Sequence, residues 1–352
     1  MEREIEPAAV QAIPVSVITG FLGSGKTTLL NHLLAHPAMG ETAVLINEFG
    51  EVALDHLLVR QISEDIVLLN SGCLCCTVRG DLVDSLRELF LKRGRGEVPE
   101  FRRTVVETTG LADPAPIIHT LMTDPVLGKR YRLDGIVTTV DAVHGSAQLD
   151  THSEPVKQAA VADRLVLTKT DIADGTEVET LRARLAAINP SAPVIVAVDG
   201  AAEPDALFDC GLFNPKTKAP DVAGWLNEEA YGQARGHGHH HDVNRHDDRI
   251  GAFCMTVDDP IEWDAFAMWL EMLLATRGEN VLRIKGILNV AGEAKPVAIH
   301  GVQHVFHPPA ALAEWPDAER RSRIVFITRD MGRQAIEDTF RAVYGYHAES
   351  AK

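Results

Sequence analysis

From residue 13 to about residue 200, short apolar runs alternate with segments whose apolar positions recur every three or four residues. The runs Pro14 to Thr19, Ala43 to Ile46, Ile66 to Leu69, Thr104 to Val106, Gly135 to Val140, Arg164 to Leu167 and Val194 to Val198 predict strands. Leu29, Leu30, Leu33 and Leu34 share one face of a predicted helix, as do Leu82, Leu86, Leu89 and Phe90. Apolar strands separated by helices predict an α/β fold, a mostly parallel sheet covered on both faces.

The pattern lapses after about residue 210. Residues 214–249 are rich in Pro, Gly, Asn, Asp and His, have no apolar period, and predict a linker. A second unit begins at residue 250. Strands are predicted for Gly251 to Val257, Val281 to Val290, Pro296 to Phe306 and Ile324 to Thr328, and helices for Ile261 to Ala275 and Arg333 to Val343. Ala291-Gly292-Glu293 reads as a hairpin turn. The expected organisation is a nucleotide-type domain (1–213), the His-rich linker (214–249) and a small α+β domain with an antiparallel sheet (250–352).

The chain has 352 residues, 45% of them hydrophobic, enough for two cores. Its formal net charge of -16 argues against nucleic acid as a partner. The short basic run Lys92-Arg93-Gly94-Arg95 reads as a solvated helix end. No apolar stretch is long enough to span a membrane, and the acidic start Met1-Glu2-Arg3-Glu4 is unlike a signal peptide, so a cytosolic protein is expected. Five cysteines are then thiols, with Cys210 and Cys254 read as small buried hydrophobes.

Two motifs carry chemistry. Gly20-Phe21-Leu22-Gly23-Ser24-Gly25-Lys26-Thr27 is a complete phosphate-binding loop between a strand and a helix. Its backbone N–H groups and the helix N-terminus face phosphates, Lys26 reaches the β- and γ-phosphates, and Thr27 ligates magnesium. Downstream, Glu107 ends a strand where it can hold magnesium through water, and Gly110 can offer its N–H to the γ-phosphate. Thr168-Lys169-Thr170-Asp171 has the form of a guanine-reading segment, with Asp171 accepting from the base and Thr168 standing where Asn is usual. GTP is therefore expected over ATP.

The second motif is Cys73-Leu74-Cys75-Cys76, which follows a strand and Asn70-Ser71-Gly72. Three thiolates suit zinc or Cu(I), with a fourth ligand from water, a distant residue or a partner. A redox-active or simply buried thiol cluster is the alternative. The run Gly236-His237-Gly238-His239-His240-His241-Asp242, with His246, reads equally as a loose metal collector or a solvated spacer. His119 can approach the thiolates, but a structural histidine is the plainer reading.

Together the motifs resemble the CobW-like P-loop GTPases, relatives of the nickel-insertion GTPases of urease and hydrogenase maturation. The resemblance rests on GFLGSGKTTLL from Gly20, NEFGEVALD from Asn47, GCLCC from Gly72, ETTGLADP from Glu107 and TKTD from Thr168. RIKGIL from Arg283 and HGVQH from His300 extend it to the C-terminal domain. It implies a GTPase that carries zinc, or cobalt or nickel, to the apo-form of a client metalloprotein, with a homo-oligomer left open. It also implies phosphate binding by Gly20 to Thr28, including Gly23, Ser24, Gly25 and Thr28. Guanine reading falls to Thr168, Lys169 and Asp171, metal binding to Cys73, Cys75 and Cys76, and a nucleotide-sensing role to Asn47 to Asp55. A zinc buffer whose GTPase is incidental is the rival reading. A P-loop small-molecule kinase is disfavoured, because it has no use for the guanine segment or the cysteines.

Overall fold

The computed structural model describes residues 12–47, 67–71, 78–210, 249–306 and 308–350. The three motif cysteines, the segment from Glu48 to Asp55 and the His-rich run lie outside the described residues.

The first unit is a seven-stranded parallel sheet in the order β3-β2-β4-β1-β5-β6-β7. Its strands are β1 (Ile13–Gly20), β2 (Thr42–Asn47), β3 (Val67–Ser71), β4 (Arg103–Glu107), β5 (Tyr131–Asp141), β6 (Arg164–Thr168) and β7 (Val194–Ala197). Its helices are α1 (Lys26–Ala35), α2 (Val78–Gly94), α3 (Ala115–Thr123), α4 (Gly145–Thr151), α5 (Ser153–Val161) and α6 (Gly175–Ile188), with a further short turn of helix at Pro204–Leu207. The expected strands are present, most of them a residue or more longer. β1 lies at the centre, so the loop that follows it leaves the carboxyl edge of the sheet between β4 and β5, where open α/β sheets bind ligands. Leu29, Leu30, Leu33 and Leu34 of α1 pack on Val44, Val105, Val137 and Val166. On the other face, Leu82, Leu86 and Leu89 of α2 pack with Val15, Leu45 and Val106.

The second unit is an antiparallel sheet of β8 (Ile250–Val257), β9 (Val281–Leu288), β10 (Val297–Val302), β11 (Val305–Phe306), β12 (Ala310–Ala311) and β13 (Ser322–Arg329). The helices α7 (Trp263–Arg277) and α8 (Arg333–Ser350) cover one face, with Trp269 buried among Phe266, Phe326 and Phe340. The long expected strand from Pro296 to Phe306 is divided. It folds back at Gln303-His304, so that Val302 pairs with Val305.

The two sheets share apolar cores. Leu282 and Ile327 pack with Leu165, Leu181 and Leu185, while Val302 joins Ile13, Val15 and Leu133. Inside this contact lies a charged cluster. Arg283 and Lys285, two apart on β9 and therefore on one face of the strand, both donate to Asp163 Oδ1, Lys285 Nζ at 2.8 Å. All three side chains are buried, and Arg283 also meets His300 Nε2 at 3.2 Å. Burial alone would raise the Asp163 pKa, but Arg283, Lys285 and His300 hold it far below the usual carboxylate range. Burial and the adjacent guanidinium push Lys285 down.

No helix among the described residues is long and apolar enough to cross a membrane. Cys254 is buried as expected. Cys210 is only half-buried and donates to the Leu207 carbonyl at 3.0 Å; burial and then Asp163 push its thiol pKa up, which makes it a poor nucleophile.

Candidate functional site

The chain turns sharply at the end of β1 because Gly20 allows it. Gly20 has φ 144, and a Cβ there would sit 2.2 Å from Thr139 Oγ1 and 2.7 Å from Ser24 Oγ. With that space open, Ser24 Oγ and Thr139 Oγ1 bond at 2.7 Å and tie the loop to the neighbouring strand β5. The loop closes through Ser24 N–H donating to the Phe21 carbonyl at 3.1 Å. α1 then starts at Lys26, its first N–H groups directed at the loop's concave side.

Lys26 is buried and its ammonium donates to the carbonyls of Gly20 (2.9 Å) and Phe21 (3.2 Å). Thr27 Oγ1 donates to Glu107 Oε1 at 3.1 Å, across the gap between α1 and the end of β4. These are hard oxygen donors, the chemistry that magnesium takes. Thr28, the next residue of α1, is exposed. Gly110 sits against the loop from the other side: a Cβ there would lie 2.7 Å from Leu22 N, so only glycine allows the approach. Gln158, from α5, holds this second loop by donating to the carbonyls of Gly110 (3.2 Å) and Ala112 (3.0 Å).

The segment after β6 reaches the same loop. Thr168 Oγ1 donates to the Ser24 carbonyl at 2.8 Å, and Lys169 Nζ to the Gly23 carbonyl at 2.8 Å. Thr168 thus ties the two segments together with a hydroxyl where an amide is usual. Lys169 has φ 59, and its ammonium also meets Asp141 Oδ2 at 2.7 Å. Burial would raise the Asp141 pKa, but hydrogen bonds from Lys169 and His144, with the N–H groups of Val143 and His144, lower it. Asp171 is exposed beside this segment.

The structure therefore brings together Gly20, Gly23, Ser24, Gly25, Lys26, Thr27, Glu107, Gly110, Thr168 and Lys169. Sequence reasoning missed Asp141, Thr139 and Gln158, which hold these groups. A signal existed for Asp141: it ends β5 as Glu107 ends β4, an acid at the carboxyl edge on either side of β1. Gln158 lies mid-helix in an ordinary amphipathic pattern and carries no such mark. His119 is on α3 with Nδ1 3.2 Å from Thr123 Oγ1. Among the described residues no group of three or more His, Cys, Asp or Glu could hold a metal ion.

Comparison with known proteins points the same way. Residues 14–196 match the model for the CobW/HypB/UreG nucleotide-binding domain, and residues 250–344 the cobalamin synthesis protein CobW C-terminal domain. The chain is 36% identical to the zinc chaperone YjiA of Escherichia coli, over 94% of this chain and 98% of that one. It is 29% identical to the zinc chaperone CobW of Pseudomonas aeruginosa, over 97% and 94%. The crystal structure of Zn(II)-bound YjiA GTPase from E. coli superposes with a TM-score of 0.68 at 30% identity, covering 94% of this chain and 99% of that one. The chain belongs to the CobW/HypB/UreG family and has both its nucleotide-binding domain and its CobW C-terminal domain.

Proposed function

We propose that the protein is a GTP-hydrolysing metallochaperone that binds zinc through Cys73, Cys75 and Cys76 and hands it to client metalloproteins. The observation that carries the reading is the junction of three segments at one edge: the phosphate loop, the Glu107–Gly110 strand end, and Thr168–Lys169, bonded to the loop carbonyls of Ser24 and Gly23. Phosphate grip, magnesium ligands and base reader are then read as parts of one nucleotide site. The names of the similar proteins, zinc chaperones and a Zn(II)-bound GTPase, support zinc as the cargo. In this reading the chain divides into a GTPase domain (1–213), a linker (214–249) and a C-terminal domain (250–352).

In the mechanism, loop N–H groups and the start of α1 receive the phosphate oxygens. The Lys26 ammonium exchanges the carbonyls of Gly20 and Phe21 for β- and γ-phosphate oxygens. It neutralises charge that builds there as the terminal bond breaks. Thr27 and Glu107 would hold magnesium, which screens the same phosphates when bound. The Gly110 N–H meets the γ-phosphate. Asp171 accepts from the ring N–H and exocyclic amine of guanine. The cysteine segment follows Ser71, which pairs with Asn47 at the same edge of the sheet, so metal and nucleotide bias neighbouring elements.

The test is zinc affinity without nucleotide, with GDP, and with a non-hydrolysable GTP analogue, beside GTP turnover with and without zinc. Different affinities in the GDP and analogue states are expected, with Lys26→Ala abolishing turnover. Identical affinities in all three states would reduce the protein to a zinc store with an incidental GTPase. Equal affinity for ATP and GTP would remove the role given to Asp171.

A further inference from the structure

The loop that holds Gly110 is gripped from two directions. Gln158 of α5, in the same domain, holds the carbonyls of Gly110 and Ala112. The other grip comes from the antiparallel domain. Gln303 Nε2 donates to Asp113 Oδ2 at 3.1 Å, while Lys157 Nζ, from α5 of the parallel domain, reaches the same oxygen at 3.4 Å. The opposite oxygen, Asp113 Oδ1, accepts the Ala115 N–H at 3.0 Å at the start of α3. Asp113 is therefore the point where the γ-phosphate loop, the following helix and the C-terminal domain meet.

The backbone at Gln303 is informative. It occupies the first position of the two-residue turn between β10 and β11, with φ 49. Glycine adopts that conformation freely, whereas residues with a Cβ do so at a cost. The turn is kept in place by Val302, which is buried in the core of the parallel domain, and by Gln303 N–H donating to the Leu282 carbonyl at 3.3 Å. A residue that strains its own turn and sends its amide across the boundary suits a contact role better than a turn role.

We propose that Gln303 is a positioning residue for the Gly110–Asp113 loop, so that the C-terminal domain sets how well the site tells GTP from GDP. The inference rests on the proposed GTPase reading. Through Asp113, Gln303 holds the loop where Gly110 lies against Leu22 of the phosphate loop, the position its N–H needs in order to touch a γ-phosphate. By reciprocity, a triphosphate that tightens this loop tightens the docking of the β10–β11 turn.

Gln303→Gly is the favourable variant for the test, because it relieves the backbone while removing the amide. Its thermal midpoint should equal or exceed that of the parent. Its preference for a non-hydrolysable GTP analogue over GDP, in magnesium, should fall by roughly 3- to 10-fold, the value of one hydrogen bond. Its kcat should fall in parallel. Gln303→Glu, of the same length but repelled by Asp113, should lose more. In an Asp113→Ala background the Gln303→Gly change should have no further effect on nucleotide preference or kcat. In the full-length parent, amide exchange of residues 302–306 should be slower with the analogue than with GDP, and this difference should vanish in Gln303→Gly.

Preference and kcat within two-fold of the parent in both Gln303 variants would overturn the proposal. So would a loss of preference that tracks a fall in thermal midpoint, since that is a packing effect. A parent that binds GDP and the analogue alike overturns the GTPase reading itself, and this inference with it.

Discussion

Asp163 and Asp113 both accept hydrogen bonds across the boundary between the two sheets, and they do so in opposite surroundings. The Asp163 side chain is 5% exposed and meets Arg283 and Lys285, themselves buried, in the shared core. The Asp113 side chain is 29% exposed and takes one neutral amide, with Lys157 at longer range. Opening the first contact strands charges in an apolar setting, which costs several kcal/mol. Opening the second trades a protein hydrogen bond for water, worth about 1 kcal/mol. The first is built to stay closed. The second is weak enough for a nucleotide to bias, since ligand couplings are typically ~1–3 kcal/mol. The difference lies in burial and charge, because the residue type is the same.

That contrast can be broken most directly at Asp163. Asp163→Ala should destabilise the protein by about 3–5 kcal/mol, because two buried cations lose their shared anion. Denaturant unfolding followed by tryptophan fluorescence, to which buried Trp269 contributes, reads it, and a loss under ~1 kcal/mol would deny the cluster its anchoring role. Replacing the charges, Asp163→Asn with Arg283→Met and Lys285→Met, keeps an acceptor for the buried Ile136 N–H, which Asp163 Oδ2 takes at 3.0 Å, and should bring stability back to within about 1–2 kcal/mol of the parent. If the triple variant is as unstable as Asp163→Ala, the charges stabilise rather than merely select the docking. Acid gives a graded version. The native Asp163 carboxyl is held well below its unfolded value of ~3.9, so its contribution is present in full above that pH. Falling pH protonates the unfolded chain first and erodes the contribution by at most ~1.4 kcal/mol per pH unit. The stability gap between parent and Asp163→Ala should accordingly narrow from pH 7 to pH 3; a constant gap would mean Asp163 does not carry the charge. The smallest effect is expected at the exposed contact. Asp113→Ala should cost only ~1–2 kcal/mol, from the lost bond to the Ala115 N–H and the lost amide bond, as measured by the same unfolding curves.

What the sequence disclosed, and what it withheld, follows the range of the forces involved. Glycines, Lys26 and Thr27 act within one turn of chain, so their spacing alone points to a phosphate loop. The strand ends Glu107 and Thr168 were legible because each closes an apolar run at the carboxyl edge. Arg283 and Lys285 were visible only as part of RIKGIL. Charged residues alternating with an apolar one ordinarily mark the solvent face of a strand, yet every residue of β9 is buried. Their partner lies 120 positions earlier for Arg283, and no local pattern can announce it. Gln303 was hidden differently. The apolar run around it predicts one continuous strand to Phe306, and a two-residue fold-back without glycine or asparagine carries none of the usual turn chemistry.

The shared carboxylate of Asp163 also bears on inheritance. Each unit contributes a charge that makes sense only in the presence of the other: an acid just before β6 on one, a cation pair on β9 of its neighbour. A chimera that joined the first half to a second half lacking both β9 cations would bury a lone carboxylate. The reverse exchange would bury two lone cations. Either exchange would be disfavoured unless both halves were exchanged as a matched set, although the long segment joining them would tolerate a crossover on length alone.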